Sequence, residues 1–109
     1  MPMEEVRYMW LFVFFDLPVG SREERRSATR FRQFLVNDGY EMLQFSVYTR
    51  LCRGQDTLEK HVARVQRNLP PRGSIRALPV TDRQYGRMKI LVGERKAHEG
   101  HATQQLILL

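Results

Sequence analysis

Between Tyr8 and Leu17 the chain reads Tyr-Met-Trp-Leu-Phe-Val-Phe-Phe-Asp-Leu, apolar on both alternating phases except at Asp16. Aromatic and β-branched content over so short a run predicts a strand rather than a helix. Trp10, Phe12 and Phe14 share one side, and Leu11, Val13 and Phe15 share the other. A strand apolar on both sides must be covered on both, so it is expected at the centre of a sheet. Pro18 and Gly20 then end it in a turn.

The next segments alternate in kind. Ser21-x-x-Glu24 is a capping box, and Asp38-Gly39 supplies a stop, which predicts a helix with Ala28, Phe31, Phe34 and Leu35 as its buried stripe. Tyr40 to Cys52 is strand-like but too long for one strand, so two short strands are expected to join near Gln44 to Ser46. Gly54 and Asp56-x-x-Glu59 open a second helix, with Leu58, Val62, Val65 and Leu69 inward and His61 solvated. Pro70-Pro71 closes it. A strand over Arg72 to Val80 follows, then a turn or helical loop over Thr81 to Gly86, then a strand over Met88 to Val92.

This order predicts an α+β fold, a ferredoxin-like β-α-β-β-α-β sandwich with an extra C-terminal strand. The expected division is a domain over residues 1–93 and a tail over 94–109, whose apolar end, residues 104–109, would be costly to leave in water. Two helices cover only one face of such a sheet. With nothing but the tail left in the chain, the second face is expected to meet a second copy, making a homodimer.

Charge points to the partner. Among 109 residues, 18 Lys+Arg against 12 Asp+Glu give +6, and fifteen of the eighteen basic residues are Arg. The planar guanidinium fork matches phosphate, so this bias leans toward a polyphosphate partner. Arg22, Arg26 and Arg30 recur at i, i+4, i+8, with Arg25 and Arg32 beside them, and give the first helix a basic face. No run approaches the roughly 20 apolar residues of a membrane helix. The start, Met1-Pro2-Met3-Glu4-Glu5, lacks a basic signal region. With Cys52 the single cysteine, a cytoplasmic protein with no membrane partner is expected.

Candidates for chemistry are few. Asp16 is the only acid between Glu5 and Glu23, and it stands at the end of a rigid strand. It reads either as a turn-forming Asp or as a metal ligand. One carboxylate holds Mg²⁺ poorly, but a twofold axis would bring two together. His98 and His101 are spaced i, i+3 without a third ligand. Ser46 and Tyr48 lack a triad partner, Cys52 lacks an activating neighbour, and no Gly-rich phosphate loop is present.

Phe14-Phe15-Asp16-Leu17-Pro18, then an Arg-rich helix, then Asp38-Gly39-Tyr40 and Leu43-Gln44-Phe45-Ser46-Val47-Tyr48, together resemble the CRISPR-associated Cas-two (Cas2) family. Leu78-Pro79-Val80-Thr81-Asp82-Arg83-Gln84-Tyr85 adds to the resemblance, which covers about residues 6 to 93. It implies a ferredoxin-like homodimer that works with an integrase dimer, Cas-one, in spacer acquisition, with the tail's apolar segment 104–109 serving as an assembly strand toward the partner copy or the integrase. It also implies a metal-dependent endonuclease acting on RNA or DNA, with Asp16 as catalytic residue and ligand of Mg²⁺ (or Mn²⁺). Arg22, Arg25, Arg26 and Arg30 would contact nucleic acid. Two alternatives are a non-catalytic DNA-bridging scaffold and a VapD-like ribonuclease toxin.

Overall fold

The computed structural model describes residues 7–94. The elements are β1 (Tyr8–Asp16), α1 (Arg22–Asn37), β2 (Glu41–Gln44), β3 (Val47–Arg53), α2 (Gln55–Gln66), β4 (Ser74–Thr81) and α3 (Asp82–Gly86). One sheet in the order β2-β3-β1-β4 holds all four strands, with antiparallel pairing at every step. That is the ferredoxin-like arrangement expected, with β1 central. His98, His101 and the 104–109 segment lie outside the described residues.

The odd residues of β1 make the larger core. Leu11, Val13 and Phe15 pack with Phe31 and Leu35 of α1, Tyr48 and Cys52 of β3, and Leu58 and Val65 of α2. Phe31 stands edge-on to Phe15, 5.3 Å between centroids. Each such side chain contributes roughly 1.5–3 kcal/mol by leaving water. The α1 capping box forms as expected, Ser21 Oγ accepting from the Glu24 amide and Glu24 Oε1 from the Ser21 amide.

Four expectations are corrected. The even residues of β1 are not left bare within the chain. Tyr85 of α3 lies 4.8 Å from Trp10 and 4.9 Å from Phe12, ring to ring, and Trp10 Nε1 donates to Asp82 Oδ1 at 2.7 Å. The Thr81–Gln84 capping box is what makes this short loop helical and turns Tyr85 onto the sheet.

Met88 to Val92 is not a strand. The backbone takes no strand conformation there, and Leu91 and Val92 stand 90% and 95% exposed. At the start of α2 the cap is Gly54 with no side-chain bond, rather than an Asp56 box, and the helix ends before Leu69, which is exposed.

His61 is buried, not solvated. Leu58, His61 and Val65 form the inward face of α2, and the imidazole is compensated by Asp38. His61 Nδ1 lies 2.8 Å from Asp38 Oδ2, and Arg64 donates to Asp38 Oδ1 at 2.7 Å. Burial pushes the Asp38 carboxyl up, but these hydrogen bonds and charges outweigh it and hold the group below its ordinary 3.8. Asp38 also closes α1, its backbone N–H donating to the Phe34 carbonyl and that of Gly39 to the Val36 carbonyl. One residue therefore stops α1 and pins α2. Beside it, the Tyr40 hydroxyl is buried with no hydrogen-bond partner among the described residues. Burial, with Asp38 adding to it, raises its pKa.

Candidate metal and nucleic-acid site

Asp16 closes β1 opposite Ser74 of β4 and is exposed. Paired residues of a sheet share a face, so Asp16, Ser74, Phe14 and Arg76 all project on the side away from α1 and α2. The strand end is fixed by its neighbours. The Phe15 amide donates to the Ser46 carbonyl at 3.0 Å. Gly73, at φ +109°, presses its backbone so close that a Cβ there would lie 2.7 Å from the Asp16 carbonyl oxygen. Only glycine fits that approach.

Asp16 lines an open hollow of about 320 Å³ with Phe14, Phe45, Ser46, Ser74 and Arg76 among its walls. No side chain among the described residues hydrogen-bonds its carboxylate. The oxygen donors of that lining, the Asp16 carboxylate and the Ser46 and Ser74 hydroxyls, suit a hard cation such as Mg²⁺, and they share it with the Arg76 guanidinium and the apolar Phe14, Phe45 and Val47. Their number falls short in one chain, since no group of three His, Cys, Asp or Glu side chains gathers among the described residues.

The arginines gather elsewhere. Arg22, Arg25, Arg26 and Arg30 are exposed and line a shallow groove along α1 with Thr29 and Gln33. Arg25 donates to the Val19 carbonyl at 3.1 Å, which steadies the β1–α1 connection. None of the four forms a salt bridge among the described residues, so their charges face solvent. The structure thus brings these four together, but on a surface that shares no lining residue with the Asp16 hollow.

Sequence reasoning missed Phe45, Gly73 and Arg76. The phase of the strand-like segment put Phe45 beside Leu43 and Val47, which do pack on the open face. A bulge between Met42 and Gln44 and a left-handed Ser46, at φ 66°, break that phase. Phe45 instead lies by the Arg32 guanidinium, 5.2 Å from its centroid, and the same guanidinium is 5.6 Å from Phe15. The turn without glycine was the available signal. Arg76 was readable only once β4 was registered against β1.

Cys52 is a core residue whose thiol is pushed up by burial, which makes it a poor nucleophile. No helix among the described residues is long and apolar enough to cross a membrane.

A profile of the family described as CRISPR associated protein Cas2 matches residues 9–88. A protein named CRISPR-associated endoribonuclease Cas2 from Acidovorax ebreus is 55% identical over 85 residues, covering 78% of this chain and 83% of its own length. Proteins of the same name from Flavobacterium psychrophilum and Parvibaculum lavamentivorans are each 39% identical. They cover 97% and 92% of this chain, and 92% and 99% of their own lengths.

Proposed function

Given that the chain belongs to the CRISPR-associated Cas2 family, we propose that it is a metal-dependent endonuclease of CRISPR adaptation, working as a homodimer. The relatives named endoribonuclease support nuclease activity. The observation that carries the reading is Asp16, an exposed carboxylate with no side-chain partner among the described residues, held at a strand end in a hollow that it shares with Ser46, Ser74 and Arg76. Two copies of Asp16 would hold Mg²⁺ or Mn²⁺, with Ser46 and Ser74 beside them. Such an ion supplies a water of lowered pKa and polarises a phosphodiester oxygen. Arg76, on the same face, is placed to offset negative charge growing on phosphate. The α1 arginines grip the sugar-phosphate backbone without reading sequence.

Apolar area supports the second copy. α3 covers Trp10 and Phe12, but Phe14 is only half-buried and Leu78, on the same face, is 48% exposed. The integrase dimer, Cas-one, would then meet this homodimer in the cytoplasm during spacer acquisition.

The experiment is cleavage of labelled RNA and DNA by wild type and Asp16→Asn with Mg²⁺ or Mn²⁺, both checked for mass by light scattering. Cleavage by wild type, abolished by chelator and lowered at least about a hundredfold in Asp16→Asn, is the expected result. Equal rates in the two proteins would remove Asp16 from catalysis. A second reading, a DNA-bridging scaffold, is favoured by the single carboxylate per chain and the separate basic groove. It predicts tight DNA binding by both proteins with cleavage by neither.

A further inference from the structure

We propose that Phe45 is a stacking platform for an unpaired nucleobase, placed to seat the adjoining phosphodiester over the Asp16 hollow. The proposal rests on the nucleic-acid reading above and deepens it by naming a residue outside the metal site that would seat a base of the substrate.

Phe45 is 79% exposed at the tip of the β2–β3 turn. Turns ordinarily carry small polar residues at such a tip. Here the tip is held in place instead. The Arg32 guanidinium lies against the ring, and the next residue, Ser46, adopts a left-handed backbone that L-residues other than glycine, Asn and Asp rarely take. Strain beside a reactive carboxylate is a common mark of a positioned group. A ring with a guanidinium on one side and water on the other is a half-built sandwich, and a nucleobase completes it.

The surroundings suit a nucleotide. Phe45, Arg76 and Asp16 line one hollow, so a base on the ring leaves its phosphate toward the Arg76 side of the same opening. Bases paired in a duplex are stacked on their neighbours and cannot lie on a side chain without being pulled out. The platform therefore favours single strands, and unpaired or mismatched positions within duplexes.

A second copy of the chain is the other candidate occupant, and the geometry argues against it. Phe45 shares Arg32 with Phe15, which points into the helix layer. Trp10, Phe12 and Phe14 point the opposite way. A partner packed sheet against sheet would cover those residues and leave Phe45 at the rim.

The test compares wild type with Phe45→Ala, Phe45→Leu and Phe45→Trp. Binding is measured to a single-stranded oligoribonucleotide carrying one 2-aminopurine and to the same sequence as a duplex. Wild type is expected to prefer the single strand and to quench 2-aminopurine fluorescence. Phe45→Ala and Phe45→Leu are expected to weaken single-strand binding about five- to a hundredfold and lose the quench, with duplex binding unchanged. Phe45→Trp should restore both. Single-strand binding and quench unchanged in Phe45→Ala would overturn the proposal while leaving the nucleic-acid reading intact. Equal losses on single strand and duplex would overturn it too, as would a fall in mass by light scattering, which would assign Phe45 to the contact between copies. Wild type that binds neither probe would overturn both readings.

Discussion

The two faces of β1 are built to different standards. Its odd residues meet two helices with matched apolar stripes, and Leu11 and Val13 are completely sealed there. Its even residues meet one short helix, which seals Trp10 and Phe12, and beyond them the cover gives out, at half-buried Phe14 and exposed Asp16. The step is physical in origin. A five-residue helix reaches only the start of the strand, so the far end is left to solvent or to another molecule. Stability is concentrated on one face, and the groups able to do chemistry lie at the uncovered end of the other.

Truncating the sealed face gives the largest effect. Phe31→Ala removes the ring that stands edge-on to Phe15 and leaves a cavity between α1 and the sheet. The expected loss is about 4 kcal/mol, seen as a fall in Tm of some ~15–30 °C. Cleavage per folded molecule at low temperature should stay at the wild-type rate. If stability is kept while cleavage collapses, the division between the two faces is wrong.

The Asp38 cluster gives a smaller effect with a pH signature. Asp38→Ala leaves buried His61 and the Arg64 guanidinium without their acceptor and should cost about 3 kcal/mol near neutrality. The Asp38 carboxyl sits below its ordinary 3.8 in the folded protein. Its stabilisation is therefore present above 3.8 and is lost as pH falls through the lower, folded value. Urea titrations of wild type and Asp38→Ala should converge as pH drops below that window. A gap that stays constant down to low pH would show that the ionised carboxylate is not what stabilises.

Much of this was legible from residues alone because local chemistry and burial agreed. The doubly apolar run could only be a central strand, and Ser21-x-x-Glu24 with Asp38-Gly39 bounded α1 correctly. Asp16 stood out as an acid at a strand end, and the α1 arginines as one face. What escaped depended on contacts distant in sequence. His61 reads as polar beside Lys60, and only Asp38, twenty-three positions earlier, makes its burial affordable. Tyr85 reads as a loop residue until the Thr81 cap turns it onto Trp10. Phe45 followed strand phase on paper, and a bulge with one left-handed residue moved it off that phase. Met88 to Val92 carries strand-like residues, yet its backbone takes no strand conformation, because composition sets a preference and not the pairing that makes a strand.

The thin cover on the open face can itself be tested, with the smallest expected effect. Trp10→Phe keeps an aromatic ring beneath Tyr85 but removes the indole N–H that donates to Asp82 at 2.7 Å. A hydrogen bond to a carboxylate is worth roughly 1.5–3 kcal/mol, and this one is partly exposed, so about 1.5 kcal/mol is expected, or some 6–12 °C in Tm. The deficit should be well under half of that for Phe31→Ala. A loss as large as for Phe31→Ala would mean that α3 is as integral to the fold as α1. A loss of the expected size, with dimer mass retained, would mean that α3 is a light cap and that the rest of the face is stabilised by what docks against it.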